Sequence, residues 1–333
     1  MQKKNLVRNI RYFKVIAALS VILGVIFAAV FLRSDLSYAS ENTKRQDADA
    51  DIDDEIFPPM DAFDATIWPV QDTPFQFDGK GLKAGTLAAG TPGKVIAEKG
   101  DSFYVRVGEK KGFVKKNVCM INLPDVMQKE MQYDITNSYD SIFKIHGKSI
   151  KGITGETFYP YVKLEDGRFL VPLLYPVALK LYEAENYALD HGCTFKIYDA
   201  YRPNTVTKQL YAQTDEVLTE NEELKGYVTE GGNKLGNFLA NGVSNHNYGV
   251  AVDLTLVDMG MGEELEMQTA MHELSPLASP RNNTYDADML AEWMGQFGFS
   301  GINTEWWHFE IKSLRQKYAS FQAQPYAEEN LGR

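Results

Sequence analysis

An apolar run interrupted by one aspartate is the feature that most constrains the fold of this chain. Residues 249–257 read GVAVDLTLV, which is typical of a buried β-strand. Successive side chains of a strand point to opposite faces, so Val252 and Leu254 share one face and Asp253 lies on the other. A carboxylate in such surroundings needs a charged partner or a metal ion. The run therefore predicts a central strand with a positive charge or a metal over one face.

A histidine seven residues before Asp253 is the first candidate partner. His246 lies in the polar segment SNHNYG, and Gly249 allows the chain to turn before the strand begins. We expect this turn to fold His246 back over the end of the strand, close to Asp253.

A second candidate pair lies further along the chain. The segment GINTEWWHFEI, residues 301–311, contains Glu305 and His308. Residues three apart on an ideal strand face opposite ways. The two can serve one site if Glu305 belongs to the preceding turn and the strand begins at Trp306, and we expect that arrangement. The neighbouring tryptophans would exclude water and strengthen electrostatic interactions.

These residues suit a metal-dependent hydrolase. Two histidines and one aspartate form a ligand set for one Zn²⁺ ion with an open fourth position. Zinc lowers the pKa of a bound water, and a nearby carboxyl that is not a ligand can pass the proton to a leaving amine. Glu305 is the candidate for that carboxyl. Arg202, in the segment DAYRP at the end of a predicted strand, is the candidate for stabilising a developing oxyanion.

The remaining histidines are first interpreted as ordinary surface or core residues: His146, His191 and His272. His191 precedes Gly192 at the end of a predicted helix, where a histidine is favourable. A serine peptidase that uses Ser244 and His246 is disfavoured. Residues two apart on a loop have poor geometry for a nucleophile and its base, and the sequence has no G-x-S-x-G segment.

Three segments resemble one known family. DAYRP, SNHNYGVAVDLTLVD and EWWHFE, in this order, resemble the D-alanyl-D-alanine dipeptidases, the zinc D,D-peptidases of the vancomycin-resistance type. The similarity runs from about Tyr133 to Ile311. It implies an α+β fold with a central antiparallel sheet. The roles it implies are zinc binding by His246, Asp253 and His308, catalysis by Glu305 as base and Arg202 at the transition state, and a substrate-pocket position for Ser244.

One segment departs from that family. The family pattern M-G-T-x-F-D, whose aspartate is associated with the free amino end of the substrate, aligns with MQTAMHEL at residues 267–274. His272 stands at the aspartate position, and a histidine supplies no fixed negative charge. Glu273 is adjacent, but neighbouring side chains need not point the same way. We therefore expect D,D-carboxypeptidase-like activity on peptidoglycan stem peptides, with hydrolysis of free D-Ala-D-Ala as the alternative.

The N-terminal segment predicts a location outside the membrane for the rest of the chain. A basic tail precedes 18 uncharged residues, Val15–Leu32, which are long enough to cross a bilayer as a helix. The basic flank predicts a cytoplasmic N-terminus and an extracellular catalytic domain on a single-pass anchor. Cleavage after Ala39, which would release a secreted protein, stays open as the alternative.

Composition divides the chain into five segments. We predict a tail and anchor at 1–39, an acidic linker at 40–68, an SH3-like β domain at 69–124, the zinc D,D-peptidase domain at 125–322 and a tail at 323–333. The strands and turns around GDSFYVRV resemble bacterial SH3-like domains, which are often cell-wall binding modules; a β-rich spacer without a ligand is the alternative. The Glu-, Gly- and Asn-rich residues 215–242 are expected to be a solvated loop rather than a lid.

Charge and cysteine content exclude other classes. The formal net charge of −11 and the lack of a dense basic patch beyond the N-terminus argue against nucleic-acid binding. Cys119 and Cys193 fall in different predicted domains, so we expect no disulfide. A non-catalytic, zinc-stabilised cell-wall binding protein is the alternative of another class, although such a protein would need neither Glu305 nor Arg202.

Overall fold

The computed structural model describes residues 60–77, 84–133, 144–145, 148–149, 171–202 and 204–317. The predicted membrane anchor, the C-terminal tail and His146 lie outside these residues. Within the described part of the chain, no helix is both long and apolar enough to cross a membrane.

The first sheet is antiparallel throughout and contains eight of the described strands. Their order is β11-β7-β1-β4-β5-β6-β2-β3. The bounds are β1 Thr66–Pro69, β2 Thr73–Phe77, β3 Ala84–Leu87, β4 Gly93–Lys99, β5 Ser102–Val107, β6 Lys110–Lys115, β7 Cys119–Asn122 and β11 Pro172–Leu174. In β5 the buried Phe103 and Val105 alternate with the more exposed Tyr104 and Arg106, as the sequence predicts.

The start of this sheet corrects the predicted linker. The sequence places residues 60–68 in the acidic spacer, but Met60, Ile67 and Trp68 are fully buried. Ile67 and Trp68 lie in β1, which pairs with both β4 and β7. Burial of these apolar side chains is favourable and places the segment in the folded core despite the acidic residues before it.

The second sheet carries the predicted central strand. Its order is β14-β15-β13-β12-β8, and its pairs are antiparallel except for the short parallel pair of β8 and β12. The bounds are β8 Gln132–Tyr133, β12 Cys193–Asp199, β13 Ala251–Asp258, β14 Ser300–Ile302 and β15 Glu305–Glu310. A separate short hairpin is formed by β9 Lys144–Ile145 and β10 Lys148–Ser149. The predicted α+β class is confirmed, and β13 lies between two strands, which explains why its first seven residues are buried.

Five α-helices complete the described structure: α1 Tyr175–Asp190, α2 Asn204–Glu220, α3 Glu222–Val228, α4 Tyr285–Gln296 and α5 Lys312–Lys317. The start of α4 is fixed by the residue before it, Thr284. Thr284 caps this helix by accepting a hydrogen bond from the Ala287 amide, and Asp286 lies in the first turn, where its charge favours the helix dipole.

The expected solvated loop at residues 215–242 is also wrong. Much of it is helical, and Asn221 caps α3 by accepting a hydrogen bond from Leu224. Val228, Leu235 and Phe238 then pack with α2 in a second, smaller apolar cluster. The segment is mostly polar, but its few apolar residues are spaced so that they can all be buried in this cluster.

The main apolar core connects the two sheets. It contains Ile67 and Met120 of the first sheet together with Phe195, Leu254 and Trp307 of the second. Cys119 and Cys193 are buried free thiols. The two sheets are therefore stabilised by a single continuous apolar interior.

Candidate metal centre

His246 is positioned by a short helical turn immediately before β13. The 3₁₀ turn spans Asn245–Tyr248, and the Ser244 hydroxyl accepts a hydrogen bond from the His246 amide. Gly249 ends the turn with φ of 63°, the left-handed conformation that glycine adopts without strain. The predicted fold-back of His246 over the strand end is therefore what the structure shows.

The two other candidate ligands meet across neighbouring strands. Asp253 of β13 is paired with His308 of β15 in the strand register. Asp253 Oδ1 lies 3.0 Å from His308 Nδ1 and 3.4 Å from His246 Nε2, and the two ring nitrogens are 3.2 Å apart. These three buried residues form a cluster able to hold one metal ion.

The spacing of these atoms fits a tetrahedral metal. Zinc bonds to nitrogen and carboxylate oxygen are about 2.0–2.2 Å long, so ligand atoms of a tetrahedral site lie about 3.3–3.6 Å apart. The observed separations of 3.0 to 3.4 Å need only a small expansion to reach these values. With three protein ligands, the fourth position is left for water or substrate.

The outer nitrogens of both histidines are also held. His246 Nδ1 donates to the carbonyl oxygen of Ala200 at 2.7 Å, which leaves Nε2 with its lone pair for a metal. His308 Nε2 lies 3.3 Å from Glu310 Oε2, so Nδ1 is the ligand atom of this ring. Glu310 is in turn bound by Asn245 and Lys312.

The position of Glu305 corrects the expected strand boundary. β15 begins at Glu305 itself, not at Trp306. The register shifts between Gly301, which pairs with Phe309, and Ile302, which pairs with Glu305. This irregularity breaks the strict alternation of side chains, so Glu305 and His308 both face the same cavity.

The cavity has a volume of about 230 Å³ and is open to solvent on one side. His246, Asp253, His308, Glu305, Arg202 and Ser244 all line it, so the structure brings every candidate site residue together. Apolar side chains form part of the wall, among them Phe238, Leu239 and Trp307. The helical segment after α3 therefore supplies one side of the site.

Arg202 is held rigidly at the end of β12. Its Nη1 lies 3.0 Å from Asp199 Oδ2, and both side chains are almost fully buried. Its backbone oxygen accepts a hydrogen bond from Asn247 at 2.6 Å, and its amide donates to the His246 oxygen at 3.2 Å. The arginine and the histidine turn are thus fixed relative to each other.

The two carboxyl groups in the cavity have opposite pKa shifts in the metal-free site. Burial would raise the pKa of Asp253, but His246, His272 and His308 outweigh burial and hold this pKa well below its usual range. For Glu305, burial is the dominant effect and raises the pKa to about 8. Asp253 therefore stays ionised as a ligand should, while Glu305 can exchange a proton near neutral pH.

His308 carries a positive charge when no metal is present. Burial alone would lower the pKa of this imidazole, but hydrogen bonds with Asp253 and Glu310 raise it to about 10. A metal cation would take the place of this proton, because a ligand nitrogen must be deprotonated.

Four residues of the site make contacts that the sequence did not predict. Asp199, Asn247 and Glu310 position predicted site residues, and His272 contacts Asp253 at 3.1 Å. The period of two along a strand could have identified Glu310, which shares a face with His308. His272, first interpreted as an ordinary histidine and then aligned with the family aspartate, lies in the cavity wall beside Asp253. His191, by contrast, ends α1 as expected.

Comparison with known proteins finds a family match over the second half of the chain. Residues 161–324 match the Peptidase M15 family, described as D-ala-D-ala dipeptidase. These residues are similar to the Peptidase M15 domain. The resemblance carried by DAYRP, SNHNYGVAVDLTLVD and EWWHFE is thereby confirmed. The match begins beyond residues 69–124, so the SH3-like resemblance stays a prediction.

Curated relatives of the M15 domain are named dipeptidases. The D-alanyl-D-alanine dipeptidase of Escherichia coli is 35% identical over 129 residues, which cover 36% of this chain and 56% of the relative. That of Enterococcus faecium is 27% identical over 157 residues, which cover 41% of this chain and 72% of the relative. The chain thus spans little more than half the length of the first of these relatives.

Solved structures similar to this chain include VanYB in complex with D-Alanine-D-Alanine, with a TM-score of 0.29, 19% identity and coverage of 48% of this chain and 82% of that one. The LdcB LD-carboxypeptidase has a TM-score of 0.30, 17% identity and coverage of 51% and 75%. A further similar structure is a vancomycin resistance D,D-pentapeptidase VanY in complex with Zn(II), with a TM-score of 0.29, 19% identity and coverage of 52% and 88%.

Proposed function

We propose that this protein is a zinc-dependent D,D-peptidase that hydrolyses the terminal D-Ala-D-Ala bond of peptidoglycan stem peptides outside the membrane. The observation that carries the proposal is the buried cluster of His246, Asp253 and His308 in one cavity with Glu305 and Arg202. The Peptidase M15 match supports hydrolysis of D-Ala-D-Ala as the reaction.

The three clustered residues would hold the zinc through His246 Nε2, Asp253 Oδ1 and His308 Nδ1. Bound there, zinc would supply Lewis acidity toward the scissile carbonyl and toward a water molecule. The aspartate would contribute one negative charge, and the metal would replace the proton on His308 Nδ1. Ala200 and Glu310 would orient the two imidazoles through their outer nitrogens.

Glu305 is the group that moves the proton. It is buried in the cavity wall, and its pKa of about 8 in the metal-free protein shows that proton binding and release are closely balanced. A nearby cation lowers this pKa, so the carboxylate form dominates in the loaded site. Glu305 then accepts a proton from the attacking water and delivers it to the amine of the departing D-alanine.

Arg202 stabilises the charge that develops on the carbonyl oxygen. Its guanidinium lines the same cavity and is fixed by Asp199. A donor that is held in place before the reaction needs no reorganisation when negative charge forms. Ser244 lies at the opposite end of the histidine turn from Gly249 and lines the cavity, where we propose that it contacts the substrate.

Two features support stem peptides as the substrate. The predicted anchor and acidic linker would hold the catalytic domain next to the cell wall, and the predicted SH3-like segment would bind that wall. Moreover, His272 stands where the family pattern has an acidic residue. Glu273 accepts a hydrogen bond from Tyr227 at 2.9 Å and is not among the residues lining the cavity, so it does not replace that acid.

A free dipeptide is the second candidate substrate. The curated relatives named D-alanyl-D-alanine dipeptidases favour it directly. Binding a free dipeptide in preference to a longer peptide requires an acidic partner for its ammonium group. The two candidate substrates therefore differ in one requirement. A free dipeptide needs an acidic side chain near its ammonium group, whereas a stem peptide has no charged amino group at that position.

Release of D-alanine from two substrates distinguishes these candidates. The purified protein with zinc should be incubated separately with D-Ala-D-Ala and with a pentapeptide ending in D-Ala-D-Ala. The proposal predicts a higher kcat/KM for the pentapeptide. Release of D-alanine from the dipeptide alone would refute the stem-peptide proposal and establish the dipeptidase reading.

A further inference from the structure

His272 lies in the interior of the site although it comes from an irregular segment. It is 4% exposed and lies in the connection between β13 and α4. Its ring stands edge-on to Tyr198 and to Trp307, with centroid distances of 6.0 and 5.6 Å. The histidine is therefore part of the cavity wall beside the metal-binding cluster.

The backbone of His272 adopts an unfavourable conformation. Its φ is 57°, and His272 is one of two non-glycine residues with positive φ in the described structure. Such a conformation is unfavourable for a residue with a Cβ. It is fixed from outside the segment, since the His272 oxygen accepts a hydrogen bond from Lys144 at 3.0 Å and the Lys144 oxygen accepts one from Leu274 at 2.9 Å.

The side chain of His272 contacts one oxygen of Asp253, and the other oxygen faces the two candidate ligand histidines. Its Nε2 lies 3.1 Å from Asp253 Oδ2, while Oδ1 faces His246 and His308. A carboxylate that binds a metal ion can only accept hydrogen bonds, so His272 Nε2 is the donor in this contact. His272 is not a member of the ligand cluster itself.

We infer that His272 is a positioning residue of the metal site. By donating to Oδ2, it keeps Asp253 a ligand through Oδ1 alone and fixes the plane of the carboxylate. This inference rests on the proposed zinc function. Removing a group that orients a metal ligand typically weakens metal affinity by about 10- to 100-fold.

Zinc affinity of paired variants tests this inference without measuring activity. The dissociation constant of zinc is obtained by competition with a chromophoric chelator for the full chain, for His272→Gln and for His272→Phe. Glutamine can place an N–H donor close to the position of Nε2, whereas phenylalanine keeps the ring and loses the donor. The same two substitutions at His191, which lies at the end of α1 outside the cavity, serve as matched controls.

We expect His272→Phe to bind zinc about 10- to 100-fold more weakly and His272→Gln to stay near the affinity of the unchanged protein. Both His191 variants should also keep that affinity. Equal affinities of the two His272 variants, whether both are retained or both are lost, would overturn the inference. If the unchanged protein itself binds no zinc, the proposed function fails as well.

A zinc-loaded crystal structure gives a second readout that needs no variant. The inference predicts a zinc bond to Asp253 Oδ1 only, with His272 Nε2 within about 3.2 Å of Oδ2. Coordination of zinc by both carboxylate oxygens, or separation of His272 from Oδ2, would overturn it.

Discussion

At the scale of single residues, the site separates two carboxyl groups by their surroundings. Asp253 is enclosed by three histidines and keeps its charge, whereas burial is the dominant influence on Glu305, which holds its proton more tightly. Opposite pKa shifts within one cavity assign one group to binding a cation and the other to moving a proton. The chemistry thus follows from environment and not from residue type.

Glu305→Gln separates proton transfer from metal binding. Because Glu305 is not a ligand, the variant should lose about 10²- to 10⁴-fold in kcat while the dissociation constant for zinc stays unchanged. Glu310→Gln is the matched comparison. Because Glu310 holds His308, this variant should lose activity mainly through weaker zinc binding. Equal loss of zinc by both variants would contradict the distinction.

The stability of the metal-free protein should depend on pH through Glu305. Its pKa of about 8 in the folded state exceeds the ordinary value of 4.5, so the folded protein binds this proton more tightly than the unfolded chain. The free energy of unfolding should therefore fall as the pH rises from about 5 to 8, at up to roughly 1.4 kcal/mol per pH unit.

Denaturant unfolding in the presence of a chelator, from pH 5 to pH 8, measures this dependence. Glu305→Gln should show a shallower decline, because glutamine does not titrate; the contribution of His308, whose pKa is about 10, remains in both proteins. Parallel pH profiles for the two proteins would refute the assignment.

At the scale of elements, the turn before β13 fixes the site. Gly249 has φ of 63°, and a Cβ there would lie 2.8 Å from Met120 Cε and 3.1 Å from the Leu174 amide nitrogen. The turn that carries His246 therefore packs directly on strands of the first sheet. The first sheet, which includes the segment predicted as a separate SH3-like domain, therefore supports the turn that carries His246.

Gly249→Ala should destabilise the protein and weaken zinc binding. The strained φ and the close backbone contact together cost on the order of 3 kcal/mol. Gly192→Ala is the control, because Gly192 has φ of 79° but no atom near its missing Cβ, so it measures the backbone strain alone. Equal unfolding free energies for the two variants, by denaturant titration, would show that the contact at Gly249 is unimportant.

Elements with strong periodicity were predictable from the sequence, and irregular ones were not. GVAVDLTLV and SFYVRV alternate over a whole strand, so both strands and the ligand Asp253 could be placed in advance. The shifted register at Glu305 and the return of His272 onto β13 depend on contacts between distant segments. No local pattern encodes such contacts, so the sequence alone did not predict the contact between His272 and Asp253.

At the scale of the whole molecule, the described residues form one compact unit with a core common to both sheets. β11 pairs with β7 of the first sheet and leads directly into α1 beside the second. The strands after residue 60 therefore act as structural support for the M15 domain. Any wall-binding role of these strands remains a proposal beside this structural role.

Unfolding of the zinc-loaded protein should accordingly be a single cooperative transition. Tryptophans in both regions, Trp68 in β1 and Trp307 in β15, should report the same midpoint as far-ultraviolet circular dichroism. Ile121→Ala, in the first sheet, should lower that midpoint for all probes, since truncating a buried isoleucine costs about 2–5 kcal/mol. Two separate transitions would show that the sheets are independent domains.

The most direct test of the central claim is the metal dependence of D-alanine release from a D-Ala-D-Ala-terminated pentapeptide. Activity should disappear after treatment with a chelator and return when one equivalent of zinc per chain is added, because His246, Asp253 and His308 form one cluster that could hold a single ion. Hydrolysis that is unaffected by the chelator, or a zinc-loaded protein that releases no D-alanine, would contradict the account.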